Sequence, residues 1–160
     1  MIPITLRRID ENNFTDAFRL ELKDGQREFV SHPIRSLAQA YVYYHQCTPF
    51  GIYAEETMVG YVLILYDYGP EEYNIWHMMI DRKHQGRGYG KAALAQCLSY
   101  IATRPFGASR RVVLTCHREN FSALALYHSF GFAETGIQGG DELELALSLT
   151  GDSGAAANHI

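Results

Sequence analysis

The chain has 160 residues, 47% of them apolar and 20% charged, which is the composition of one ordinary globular domain. A formal net charge of −4 removes any general reason to bind nucleic acid, whose affinity rests on clustered cations, and mildly favours a cationic partner. The longest apolar run, Met58 to Tyr66, is too short to span a bilayer and the N-terminus lacks the apolar core of a signal peptide, so the expectation is a soluble cytoplasmic protein with no membrane partner.

Ile2, Ile4, Leu6 and Ile9 alternate with polar residues and predict a first strand. Asp10 to Leu22 predicts a helix with Phe14, Phe18 and Leu22 on one stripe, Asn12 or Asn13 as N-cap, and Gly25 beyond its end. Pro33 marks a break, and Ser36 opens a second short helix through Leu37, Ala40, Tyr41 and Tyr44. Phe50 to Ala54 and Met58 to Tyr68 form a hairpin around Glu55-Glu56-Thr57, and Tyr73 to Asp81 is the next strand. Gln85-Gly86-Arg87-Gly88-Tyr89-Gly90 then leads into a long helix carrying Leu94, Leu98 and Ile101 on one face. Arg110 to Cys116 reads as a buried strand, and Asn120 caps a helix bearing Leu124, Tyr127 and Phe130, with Gly131 as its C′ residue. Phe132 to Gly136 and Glu142 to Leu149 are the last strands, joined through Gly139-Gly140-Asp141. Residues 1–149 are thus expected to form one mixed α/β domain. Thr150 to Ile160, small and polar, is expected to be a disordered tail.

A strand that runs into a glycine-rich turn and then a helix can hold a phosphate. The helix start offers unpaired N–H groups and a partial positive charge, and glycine lets an anion approach the backbone or adopts positive φ. A Walker loop is excluded because Gly86 and Gly90 are one residue too close and Ala92 follows Lys91 where a metal-binding hydroxyl belongs. A Rossmann fingerprint is excluded because the spacing is GxGxG after an antiparallel hairpin, with no acidic residue near position 110. Cys47, Cys97 and Cys116 are odd in number, contain no CxxC pair and read as reduced thiols, and no set of residues has metal-ligand spacing.

Gln85, Gly88 and Gly90 match Q-x-x-G-x-G, the pyrophosphate loop of GNAT acetyltransferases. Asn120-x-x-Ala123-x-x-Leu126-Tyr127-x-x-x-Gly131-Phe132 resembles that superfamily's second signature. Leu20-Glu21-Leu22-Lys23, Gln26 to Val30, Ser36 to Tyr41, Pro49 to Ala54 and Tyr73 to Asp81 are, in addition, similar to bacterial spermine/spermidine N-acetyltransferases. The resemblance implies a GNAT fold of the α/β (α+β) class, a central mixed, mostly antiparallel twisted sheet of about seven strands flanked by about four helices. It implies acetyl-CoA as cosubstrate and direct acetyl transfer to a primary amine of a small polycation, and it leaves open a homodimer. The competing readings are an antibiotic-modifying (aminoglycoside-type) acetyltransferase, a protein N-acetyltransferase and a non-catalytic acetyl-CoA-binding module.

By that resemblance Gln85, Gly86, Arg87, Gly88, Tyr89, Gly90 and Lys91 form the pyrophosphate site. Asn120 contacts the pantetheine arm, and N–H groups around Met79 and Ile80 bind the pantetheine and polarise the acetyl carbonyl. Tyr127 lies near the cofactor sulfur as its proton donor. An alkylammonium has a pKa of ~10 and must lose a proton before it attacks. Alternation puts Ile75, His77 and Met79 on one face and Trp76, Met78 and Ile80 on the other. His77 stands where relatives carry a basic Glu, and is either that base or a structural histidine beside the site. Glu21, Asp24 and Glu28 on one helix face, or Glu71 and Glu72 before the catalytic strand, could receive a polycation or simply be solvated. Glu28 and Glu72 are the candidates for substrate contact.

Overall fold

A computed structural model describes residues 2–27 and 29–149; the C-terminal segment from Thr150, and Glu28, lie outside the described residues. The chain begins with β1 (Ile4–Arg8), α1 (Phe14–Phe18) and α2 (Pro33–Val42). The hairpin β2 (Cys47–Ala54) and β3 (Thr57–Asp67) follows, then β4 (Glu72–Ile80) and a 3₁₀ turn over Arg82–His84. The remainder is α3 (Tyr89–Ala102), β5 (Arg111–His117), α4 (Phe121–Ser129), β6 (Ala133–Gly139) and β7 (Glu142–Ser148). Among the described residues no helix is long and apolar enough to cross a membrane.

The strands form one seven-stranded sheet in the order β1-β2-β3-β4-β5-β7-β6 among the described residues. Each neighbouring pair is antiparallel except β4 and β5, which run parallel because α3 carries the chain back between them. That parallel pair is short: only Tyr73↔Val112 and Asn74↔Val113 are in register, and the strands diverge beyond them. The closed end is pinned from above. The Tyr73 hydroxyl donates to the Gly107 carbonyl at 2.7 Å and accepts the Phe106 and Gly107 N–H groups at 3.1 and 3.2 Å. Tyr66 donates to the Ala108 carbonyl at 2.8 Å.

The two faces bury separate cores. One packs Val62, Ile64, Tyr73 and Ile75 against Leu94, Cys97 and Ile101 of α3 and Tyr127 of α4. The other packs Tyr61, Leu63 and Met79 against Ala17, Leu20, Leu22 and Ala40. Each large side chain fully buried there contributes about 1.5–3 kcal/mol of transfer free energy, which offsets the ordering of the chain.

Three expectations change. The first helix is a single turn, not a run to Leu22, because tertiary bonds capture the backbone after it: Glu21 N–H goes to Asp81 Oδ1 (2.8 Å) and Glu21 C=O accepts Arg82 N–H (2.7 Å). Asn13 does sit at the N-cap position, yet its amide serves Arg8 C=O and the Tyr53 hydroxyl rather than the helix. The strict alternation expected along β4 is broken by a bulge opposite Leu63/Ile64, where His77 pairs with Leu63 and Ile75 with Ile64. Trp76 and Met79 therefore join the α2-side core, where His77 is bonded to Ser36, while Ile75, Met78 and Ile80 join the other.

Candidate functional site

The site lies where β4 and β5 part. At the end of β4, Asp81 is only 7% exposed and caps the 3₁₀ turn through Oδ2, which accepts Lys83 N–H at 3.2 Å. Gln85 folds back: its Nε2 donates to the Ile80 carbonyl and to Gln26 Oε1, both at 2.9 Å. The loop is thereby tied to β4 and to the segment before α2. Gly86 (φ +78°) and Gly88 (φ +80°) are left-handed, and a Cβ at either would point into open space. The expected left-handed geometry thus falls on Gly86 and Gly88. Gly90 lies inside α3, where a Cβ would make ordinary 3.8 Å contacts with Ile80 and Leu126.

Within the described residues, no hydrogen bond takes the N–H groups from Gly86 to Lys91, and neither Arg87 nor Lys91 is in an ion pair. Unpaired amides at a helix start, flanked by exposed cations and glycines, can hold a diphosphate. Tyr89 begins the helix with its ring buried beneath the loop.

Two cavities meet here. The first, about 260 Å³, is bounded by the loop, Met78 to Ile80 and the start of α4. The second, about 210 Å³, is walled by Phe29, Trp76, His77, Thr115, His117 and Glu142. Val30, Met78, Asn120, Ala123 and Tyr127 line both, so Tyr127 stands at the junction. Its ring is 9% exposed and its hydroxyl has no protein partner among the described residues. Burial, helped by Cys116 and Cys97, raises the phenol pKa above its ordinary value, so the proton stays on at working pH. Asn120 occupies the N-cap position of α4 without capping it; its Oδ1 accepts from Ser122 at 3.4 Å.

Strand geometry also sorts the backbone donors. Asp81 N–H is given to Val59 C=O at 2.8 Å, towards β3, so the N–H groups of Ile80 and Met78 face the opposite side, where β5 has moved away. Met79, expected with Ile80 as a donor, points its N–H into the β3 ladder instead. The three cysteines are buried and unpaired, and burial pushes Cys47 and Cys116 up to about 11 and Cys97 to about 12. None offers a thiolate near neutrality.

His77 reaches the second cavity, but as a neutral ring. Burial first and Arg35 second lower its pKa to about 4. The free-base character expected from an ordinary histidine is therefore much weakened. An unfolded His77 takes up its proton near 6.5 and the folded one resists until about 4, so stability is lost as pH falls through that window. Urea midpoints measured from pH 7 to pH 4 should decline more steeply for the native chain than for His77→Leu; parallel curves would contradict the depressed value.

The carboxylates are placed differently from expectation. Glu72 lies at the far end of β4, bonded to Arg111 Nε at 2.6 Å and facing a separate cavity, which does not suit contact with substrate. Glu71 borders that same cavity. Glu21 pairs with Arg82 at 2.9 Å, and no helix unites it with Asp24. Glu28 is outside the described residues. The carboxylate at the second cavity is Glu142, cross-strand partner of His117. Only register reveals that pair, although their positions at the end of β5 and the start of β7 hint at it. Gln26, Ser36 and Tyr61 likewise act through contacts that spacing does not display.

Residues 14–132 match the model of the acetyltransferase (GNAT) family. The spermine/spermidine N(1)-acetyltransferase of Bacillus subtilis is 25% identical over 139 residues, 83% of this chain and 90% of that protein. The spermidine N-acetyltransferase of Vibrio cholerae, solved with CoA and spermine, superposes with a TM-score of 0.72 at 19% identity, covering 91% of this chain and 95% of that one. An acetyltransferase from Salmonella typhimurium that modifies the N-terminal serine of ribosomal protein L7/L12 superposes equally well, TM-score 0.72 at 17% identity, over 93% and 96% of the two chains.

Proposed function

This chain belongs to the acetyltransferase (GNAT) family and is an acetyl-CoA-dependent N-acetyltransferase, and from that premise we propose that its acceptor is a small flexible polyamine of the spermine/spermidine class. The observation that carries the proposal is similarity to a spermine/spermidine acetyltransferase along 83% of the chain. The second cavity supports it. Glu142 offers one carboxylate, and Phe29 and Trp76 offer ring surface for methylenes and for a cation.

Acetyl-CoA supplies the activated acetyl thioester. In this reading the amides from Gly86 to Lys91, with Arg87 and Lys91, bind its diphosphate, and the Asn120 side chain holds the pantetheine amides. The N–H groups of Ile80 and Met78 face the acetyl carbonyl and stabilise charge that develops on its oxygen. Glu142 draws the ammonium into the cavity. At pH 7 only about one alkylamine in 10³ is neutral, so the amine binds as ammonium and loses its proton afterwards. Tyr127 holds a proton at Oη for the departing sulfur.

Specificity constants should fall in the order spermine, spermidine, short diamine, and Glu142→Gln, at a half-buried position, should lower that for spermine by about tenfold, the worth of one charge-assisted bond. Each exposed ion pair contributes only about 0.2–1 kcal/mol, so the preference should also weaken as salt rises. Efficient turnover of an aminoglycoside, or of a peptide with N-terminal serine, while spermine and spermidine stay inert would replace the polyamine by that acceptor.

A further inference from the structure

His77 belongs to a chain of three side chains that runs from the buried core to the second cavity. The Tyr61 hydroxyl lies 2.8 Å from Ser36 Oγ, and Ser36 Oγ lies 2.6 Å from His77 Nδ1. Tyr61 and Ser36 are both fully buried, at 0% exposure. Among the described residues Ser36 is the one partner of the Tyr61 hydroxyl, and Nδ1 carries the one side-chain bond of His77.

Proton counting over this chain has one satisfied solution for a neutral ring. Tyr61 has a single O–H and, among the described residues, no acceptor other than Ser36. If Ser36 donated to Tyr61 instead, the phenolic proton would be buried without an acceptor, which costs the full desolvation of that group. Tyr61 therefore donates to Ser36. Ser36 Oγ, with its one proton, donates to His77 Nδ1. Nδ1 is then the lone-pair nitrogen, and the ring proton sits on Nε2.

We propose that Tyr61 and Ser36 are positioning residues that hold His77 as the Nε2–H tautomer, so that His77 presents a hydrogen-bond donor, not a base, to the acceptor cavity. The lone pair needed to take a proton is occupied on the core side. Proton acceptance from the incoming ammonium then falls to the groups that β5 and β7 bring to the cavity, Glu142 and His117, directly or through water. The cavity is polarised as a result: an N–H edge, with Arg35 contributing positive potential at the ring, on one side, and a carboxylate on the other. A cationic acceptor enters with its remaining charges towards Glu142 and away from His77. The neutral state of the ring, held well below its ordinary titration range by burial, agrees with this assignment. The role of Glu142 rests on the amine-acceptor reading, whereas the tautomer does not.

The test begins with the free protein. In long-range ¹H–¹⁵N correlation spectra near neutral pH, His77 should show a pyridine-type Nδ1 and a pyrrole-type Nε2; the reverse pattern, or an imidazolium, overturns the proposal. Tyr61→Phe keeps the ring and removes the donor to Ser36, so an Nδ1–H population should appear and kcat should fall with the KM for acetyl-CoA little changed. An unaltered tautomer and kcat in that variant would count against it. His77→Gln can place an amide N–H where Nε2 stood but cannot take up a proton. It should retain at least about tenfold more kcat than His77→Leu if donation matters. Equal loss in both variants would return the ring to the role of a base. Failure of every polyamine as acceptor would leave the spectroscopic result untouched, which separates the two readings.

Discussion

Gly88→Val is expected to fold normally and to bind CoA about a hundredfold more weakly, a loss of ~2.7 kcal/mol. Two causes act together. At φ +80° an L residue costs roughly 1–2 kcal/mol, more when β-branched, so the loop relaxes away from the conformation that aims its amides outward. The new side chain also points into the open space above Gly88, where an anion must approach. Gly90→Ala is the control: its Cβ meets Ile80 and Leu126 at 3.8 Å inside a helix, and affinity should stay near the native value. Calorimetric titration with CoA, alongside thermal melts to verify folding, decides it. Native affinity in folded Gly88→Val would remove the loop from the cofactor site.

Tyr127→Phe should lower kcat by ~10²–10⁴ while leaving CoA affinity and the melting temperature little changed. The ring packs 5.9 Å from Phe132 and keeps that packing as phenylalanine. What disappears is the one phenolic proton at the junction of the two cavities, on a group whose burial keeps it protonated. Pre-steady-state measurement of thiol release would place the loss in the transfer step rather than in binding. Native turnover would make Tyr127 a core aromatic and nothing more.

Much of this was legible in the residue pattern, and the rest was hidden for identifiable reasons. The Gly-rich loop and the helix it opens are local features that spacing reveals, and Tyr127 stands out through its resemblance to a family signature. The face of each β4 residue was not legible, because the bulge at Trp76 depends on how β3 pairs with it, and a one-residue slip inverts alternation. The first helix was overextended because its stripe of Phe14, Phe18 and Leu22 gives no sign that Asp81, sixty positions on from Glu21, takes the backbone there. Glu72 looked like a substrate ligand only while its neutraliser, Arg111 on the adjacent strand, was out of view. Glu142 is hidden for the same reason in reverse: only the pairing of β7 with β5 brings its carboxylate to the second cavity.

The short join between β4 and β5 has a consequence for how the protein moves. The half-sheets β1–β4 and β5–β7–β6 share ladder bonds only near Tyr73 and Asn74, and the Tyr73 hydroxyl fastens that same corner. Along the remaining seam little backbone bonding resists rotation of one half against the other, and the two halves are held there by side-chain packing against α3 and α4. A ligand that touches both β4 and α4 spans the seam on its open side. Each such ligand raises the free energy of opening by RT ln(1 + [L]/Kd), so acetyl-CoA bound as proposed would brace the domain by an amount that grows with the logarithm of its concentration above Kd. The thinly laddered seam of the free protein is then the one that the cosubstrate, held as proposed, would span.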